Sequence, residues 1–121
     1  MSKRSDRDCL SDIREALERI TTYVAGMIYE SFVADKRTQD AVVRNLEILG
    51  AATKNLSEEF RAAYPSVPWK SMAATRDRLI HHYFGVNLDI VWQVITLELP
   101  ALVSQLEGIE EDEEENGGGG S

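Results

Sequence analysis

The chain has 121 residues, of which 43% are hydrophobic and 28% are charged, and its formal net charge is −8. This balance is typical of one folded domain and argues against a disordered chain, and no stretch approaches the roughly 20 apolar residues of a membrane-spanning helix. The single cysteine, Cys9, excludes an internal disulfide and a cysteine-based zinc site, and we interpret it as a packing residue. The first residues lack the apolar segment of a secretion signal, so we expect a cytoplasmic protein.

The negative charge is concentrated at one end of the sequence. Residues 107–121 contain seven acids and no base, whereas residues 1–106 contain 13 bases and 14 acids. We therefore predict a folded domain over 1–106 and a disordered acidic tail over 107–121, whose last residues resemble an engineered Gly-Ser linker. The domain is not basic enough to predict nucleic-acid binding from charge alone, so any positive field must be local or built by two copies.

The first half of the chain shows helical periodicity. Apolar residues recur at three- and four-residue spacing over 6–31 and predict a first helix. They are Leu10, Ile13, Leu17, Ile20, Val24 and Met27. A second helix is predicted over 36–54 with Asp35 as its N-cap, and Gly50-Ala51-Ala52 makes it slim near its end.

The second half continues the pattern. Ser57 and two acids predict a short third helix that stops before Pro65, and Pro68 suits the first turn of a fourth helix over 68–83. Residues 84–87 break the pattern, Asn87 can cap a fifth helix, and Pro100 should kink or divide it. No alternating β pattern is present, so we predict an all-α antiparallel bundle of four to five helices.

Residues 76–83 contain both histidines of the chain together with arginine, aspartate and tyrosine. On a helix, Arg76 and Tyr83 lie about 20° apart, whereas His81 lies about 140° from Arg76 and one turn beyond Asp77. Asp77 can therefore accept a hydrogen bond from the His81 ring, but Arg76 and His81 do not project together. Either the break at 84–87 loosens the last turn, or a two-fold dimer brings the groups of two copies into one cleft.

Such a cleft suits RNA cleavage without a metal. A neutral histidine can take the proton of a 2′-hydroxyl, a second histidine can protonate the leaving oxygen, and arginine can bind the phosphate. Equally, these side chains can be ordinary packing or solvated residues. Metal binding by adjacent His81 and His82 is disfavoured because neighbours on a helix point about 100° apart, so we predict no cofactor.

The pattern of Arg76, four residues, His81, one residue and Tyr83 resembles the R-x4-H-x-Y signature of HepT toxins in the HEPN superfamily. Further blocks resemble the family in the same order, and the resemblance covers about residues 8–106. These blocks are residues 39–52, residues 67–69 with a Pro-Trp pair, residues 79–87, and Val91-Trp92. Trp69 and Trp92 are interpreted as core or interface anchors.

The resemblance implies a homodimeric HEPN-like bundle with metal-independent endoribonuclease activity. Arg76 and His81 would be catalytic, and Asp77 and His82 would support them. Tyr83 would be the site to which a cognate MntA-type nucleotidyltransferase antitoxin attaches AMP, which would block RNA by bulk and charge. The implied partners are thus RNA, the antitoxin and a second copy, with no membrane.

Four positions depart from the family pattern. At one of them Asp77 replaces the commoner asparagine, although an acid there is compatible with the pattern. Ala51 stands where the family usually has glutamate, and Ala74 and Thr75 stand where it often has glycine and methionine. These departures leave two alternatives open. One is a weak or inactive HEPN dimer that serves as partner and modification substrate of a nucleotidyltransferase, and the other is an engineered helical scaffold derived from the family.

Overall fold

Every regular element in residues 5–83 and 88–118, which the computed structural model describes, is helical. The side chains of residues 76, 78–83 and 110–118 lie outside that description. The helices are α1 (Asp6–Val24), α2 (Tyr29–Ala34), α3 (Lys36–Lys54), α4 (Glu58–Ala63), α5 (Trp69–Tyr83), α6 (Leu88–Gln93) and α7 (Leu99–Gly118), with a π-helical segment, Val94–Glu98, before α7. The predicted all-α fold is confirmed.

The first helix is shorter than predicted. It ends at Val24, and Gly26 adopts a left-handed conformation with φ of +76°. A residue in that conformation cannot continue a right-handed helix, and glycine adopts it without a Cβ clash. The backbone N–H of Met27 turns back to the Val24 carbonyl at 2.9 Å, and α2 starts at Tyr29. The expectation of one helix over 6–31 was therefore wrong.

Helices α3, α4 and α5 agree with the predicted second, third and fourth helices, whereas α2 was not predicted. Asp35 caps α3 by accepting a hydrogen bond from the Thr38 N–H at 3.1 Å. This hydrogen bond holds the pKa of the Asp35 carboxyl below its usual range. Ser57 caps α4 by accepting from the Phe60 N–H at 3.0 Å, and Asp6 on α1 accepts from both the backbone N–H and the hydroxyl of Ser57. This last contact ties the start of α4 to the start of α1.

Pro100 follows a π-helical segment in a C-terminal helical region that is otherwise continuous from Leu88, so the predicted kink or division takes the form of a local widening. Proline has no N–H, and its ring clashes with the carbonyl four residues earlier. The backbone widens just before it, and the Leu99 N–H bonds to the Val94 carbonyl five residues back. The predicted cap Asn87 lies outside the described residues.

The core is built around α3, which packs most extensively against α1 and α5. Its buried apolar residues come from every helix except α4 and from the π-helical segment, and include Ile13, Ile20, Phe32, Leu46, Leu49, Met72, Val91 and Leu102. Cys9 is 1% exposed, which confirms it as a packing residue. None of the described helices is both long and apolar enough to cross a membrane.

The C-terminal region also corrects the sequence prediction. Disorder was expected from Glu107 onward, but α7 runs through Gly118, and Ile109 is only 3% exposed. Leu102, Leu106 and Ile109 follow three- and four-residue spacing, so one apolar face extends past the predicted boundary. The division into a domain over 1–106 and a separate tail stays a prediction.

Two glycines provide a matched test of the α1–α2 turn. A Cβ added at Gly26 or at helical Gly108 meets no atom within 4 Å, so only backbone conformation distinguishes them. We expect Gly26→Ala to lower the free energy of unfolding by about 1 kcal/mol or more. Gly108→Ala should raise it by about 0.5–1 kcal/mol. Urea denaturation at one protein concentration measures both, and equal effects of the two substitutions would contradict the assigned turn.

Candidate active site

Helix α5 carries the predicted catalytic segment, and its first two turns are fixed in the core. Trp69, Met72 and Thr75 are buried and follow the three-residue spacing that places side chains on one face. The Trp69 indole N–H donates to the Tyr64 carbonyl at 2.9 Å, and its ring lies 6.0 Å from that of Phe60. The predicted role of Trp69 as a core anchor is confirmed.

The backbone of α5 continues as α-helix through Tyr83. Positions 76 and 83 therefore keep the shared register predicted from the sequence, and position 81 stays about 140° from position 76. The side chains of Arg76, His81, His82 and Tyr83 lie outside the described part of the structure, so their roles stay predictions. The helical last turn does not agree with the alternative in which that turn is loosened. The two-copy cleft stays a prediction.

Asp77 is the predicted site residue whose side chain the structure describes. Its Oδ2 lies 4.0 Å from Nζ of Lys54, the last residue of α3, and the two side chains are 67% and 48% exposed. At this distance the pair is an ion pair without a hydrogen bond, and such exposed pairs contribute little to stability. The Asp77 carboxylate thus lies at the surface, where it can accept further hydrogen bonds.

Lys54 is a residue that the sequence prediction missed. A lysine in the last turn of a helix is ordinarily explained by the negative end of the helix dipole, so its type and position gave no functional signal. The structure places it beside the middle of α5 because α3 and α5 pack against each other.

The end of α3 is slim where it was predicted to be. Gly50 and Ala52 are buried, whereas Ala51 is exposed. Ala51 precedes Lys54 by three residues and therefore shares its side of the helix. At position 51 the chain presents a methyl group to solvent where a carboxylate of the family pattern would stand.

A second aromatic cluster lies where α2 meets α6. The Trp92 ring lies 5.2 Å from buried Phe32 and 6.2 Å from Tyr29, which supports the interpretation of Trp92 as a packing anchor. A hydrogen bond with the Asp89 carboxylate, reinforced by desolvation, raises the pKa of Tyr29 above its usual value. Among the described residues, no group of three or more His, Cys, Asp or Glu side chains is placed to hold a metal ion.

Comparison with known proteins identifies the family. The family model described as "Ribonuclease HepT-like" matches residues 13–109. The chain belongs to the HepT-like ribonuclease family. The matched region runs from the core of α1 to the last described side chain of α7 and includes the whole of α5, so the resemblance of the R-x4-H-x-Y segment is part of a relationship over the entire bundle.

HepT-like relatives cover nearly the full chain. A protein of Methanocaldococcus jannaschii, provisionally named as an RNase, is 45% identical over 93% of both chains. A protein of Thermococcus cleftensis named "Probable ribonuclease HepT" is 42% identical over 90% of this chain and 99% of its own. One of Caldanaerobacter subterraneus, also provisionally named as an RNase, is 44% identical over 91% and 98%. No solved structure matches the chain significantly.

The anchoring of α5 can be tested at Trp69. Trp69→Phe removes the indole N–H, leaves the Tyr64 carbonyl without that donor and opens a small cavity, so we expect the free energy of unfolding to fall by about 1–3 kcal/mol. The matched control is Trp92→Phe at a half-buried site, where the loss should be smaller. Chemical denaturation followed by circular dichroism measures both, and a larger loss at Trp92 would contradict the assigned anchor.

Proposed function

We propose that this chain is a metal-independent endoribonuclease, the toxin of a HepT/MntA-type toxin–antitoxin pair. The observation that carries the proposal is the family match over residues 13–109, which includes Arg76, His81 and Tyr83 in their motif spacing. Relatives at 42–45% identity bear RNase names over almost their full length, which supports RNA as the substrate.

In the proposed reaction the neutral His81 imidazole accepts the proton of a ribose 2′-hydroxyl. The 2′-oxygen attacks the adjacent phosphorus, and the bond from phosphorus to the 5′-oxygen breaks. A second imidazolium gives its proton to the leaving 5′-oxygen. The products are a 2′,3′-cyclic phosphate and a 5′-hydroxyl, and DNA is spared because it lacks the nucleophile. Arg76 binds the phosphate through paired hydrogen bonds and stabilises the charge that develops in the transition state.

The cleft is proposed to form between two copies of the chain. Because α5 is helical through residue 83, Arg76 and His81 of one copy stay about 140° apart around its axis. A two-fold axis beside α5 would bring Arg76 of one copy towards His81 of the other and would also supply the second imidazole. In each copy Asp77 would accept a hydrogen bond from His81 and fix its tautomer, and His82 would support the cleft.

Cleavage assays test the enzyme. Full-length protein is incubated with single-stranded RNA in excess EDTA, beside Arg76→Ala and His81→Ala. We expect EDTA-resistant cleavage that falls by about 10²–10⁴-fold in His81→Ala, the range for loss of a general acid–base group, and by a comparable factor in Arg76→Ala. Arg44→Ala, at an exposed position on α3, is the matched control and should cleave normally. Equal cleavage by all four proteins would indicate a contaminant and refute the proposal.

Neutralisation is proposed to occur at Tyr83. An MntA-type nucleotidyltransferase would transfer AMP from ATP to the phenolic oxygen, with release of pyrophosphate. The added phosphate and nucleotide would then exclude RNA from the cleft by bulk and by charge repulsion. Since positions 76 and 83 share a helical register, Arg76 would also hold the added phosphate.

Mass spectrometry tests the modification. After incubation with the nucleotidyltransferase and ATP, we expect AMP on Tyr83 and a parallel loss of RNA cleavage. Tyr83→Phe should abolish labelling, whereas Tyr23→Phe, at a tyrosine that is 40% exposed, should not. Labelling that persists in Tyr83→Phe would contradict the assignment.

Exposed Ala51 favours a second candidate function, because α3 lacks the usual carboxylate at that position. In this candidate the chain is a catalytically weak HEPN dimer that acts as partner and substrate of the nucleotidyltransferase. AMP transfer to Tyr83 without RNA cleavage would support it over the toxin.

A further inference from the structure

We propose that Lys54 and Lys70 bind the phosphates of the RNA strand along the exposed edge of α5, an inference that rests on the proposed ribonuclease function. The edge consists of Lys70, Ala73, Ala74 and Asp77 on α5, together with Lys54 from α3. It would guide single-stranded RNA towards His81, and the residue classes are those that recognise a sugar–phosphate backbone rather than a base sequence.

The geometry of α5 defines the edge. Positions 70 and 77 are two turns apart and differ by about 20° around the axis, and position 81 follows one turn later on the same side. Lys70 and Asp77 are exposed, and the small side chains of Ala73 and Ala74 lie between them. On this side of α5 the positions between Lys70 and Asp77 are those of the small, half-buried Ala73 and Ala74, over a length of about 10 Å.

Neither lysine has a strong structural role among the described contacts. Lys70 lies in the first turn of α5, where a positive side chain faces the positive end of the helix dipole and is unfavourable. The positive charge of Lys54 stabilises the C-terminal end of α3 through the helix dipole. Its ion pair with Asp77, however, is long and exposed. Breaking such a pair costs little, and at 4.0 Å no Lys54 proton is donated to Asp77. A phosphate oxygen can therefore take Lys54 as a partner at small cost.

The compensation of the Asp77 charge by Lys54 also supports phosphate binding along this edge. Asp77 is the only acid between residues 69 and 83, and an RNA strand beside it would be repelled. Lys54 lies close enough to offset that repulsion, so the edge as a whole carries one net positive charge from the described side chains. Direct phosphate binding and simple neutralisation of Asp77 make different predictions, which a double variant separates.

Binding to a non-cleavable RNA tests the proposal in the full-length protein. The probe is a fluorescein-labelled single strand of 2′-O-methyl RNA, which lacks the nucleophilic hydroxyl, and fluorescence anisotropy is recorded from 50 to 300 mM salt. For Lys54→Gln and for Lys70→Gln we expect Kd to rise about threefold or more at 50 mM salt. Each should also reduce the slope of log affinity against log salt by about 0.7, the value for one phosphate contact on a single strand.

The matched control is Lys36→Gln. Lys36 is exposed at the first position of the same helix as Lys54 and lies about 27 Å from it along the axis, so its removal should leave both Kd and slope unchanged. An effect of Lys36→Gln equal to that of Lys54→Gln would show general electrostatic attraction and overturn the proposal.

The double variant Lys54→Gln with Asp77→Asn separates the two roles of Lys54. If Lys54 binds phosphate, the slope stays reduced when Asp77 is neutral. Recovery of the wild-type slope and Kd would show that Lys54 only screens Asp77 and would overturn its assignment. If Kd and slope are unchanged in both single lysine variants, the proposal that Lys54 and Lys70 bind RNA phosphates is refuted.

Cleavage of unmodified RNA by the same wild-type preparation reports on the proposed function separately. Wild-type cleavage together with unaltered binding by the lysine variants rejects only this edge. If the wild-type protein neither cleaves RNA nor binds the probe, both the ribonuclease proposal and the proposed phosphate binding along the edge are refuted.

Discussion

The packing of α3 between α1 and α5 is the constraint on which the rest of the structure depends. Val42, Leu46 and Leu49 of α3 are at most 1% exposed, so the central helix has almost no freedom to rotate or slide. At its start, the Gln39 side-chain amide donates to the Phe32 and Val33 carbonyls at 2.9 Å each. These bonds satisfy carbonyls in the last turn of α2, which a six-residue helix cannot satisfy internally. One helix thereby fixes the positions of three others.

The first turns of α5 are held in the core, and Asp77, the described side chain of the motif segment, lies at the surface. Trp69 and Met72 are buried early in the helix, whereas Asp77 is exposed half-way along it. Functional groups are held more precisely on an anchored helix than on a loop, because the backbone beneath them is fixed by packing. The buried residues 69, 72 and 75 provide the described core contacts of this helix, and Ala73 and Ala74 beside them are half-buried.

Local signals in the sequence predicted the elements that local interactions determine. The bounds of α3 followed from Asp35 and the apolar stripe, because both a cap and a periodic face act within one helix. The first helix was predicted to be too long because Val24 and Met27 keep the apolar spacing. Gly26, which lies between them, adopts a left-handed conformation that ends the helix. The start of the disordered tail was predicted too early in the chain. That prediction relied on the acidic composition and overlooked Ile109, which continues the apolar spacing of Leu102 and Leu106. The contact of Lys54 with Asp77 depends on how two helices are set side by side, and no pattern within either helix encodes it.

The net charge of −8 does not conflict with binding an anionic substrate, because the position of the charges matters more than their sum. At physiological ionic strength, charges are screened over about 8 Å, so acids beyond that distance have little influence on a phosphate at α5. One third of the acids lie in residues 107–121. Within the motif segment, two arginines and one aspartate leave a local excess of positive charge. If two copies meet at α5, as proposed, the excess of positive charge in the cleft doubles.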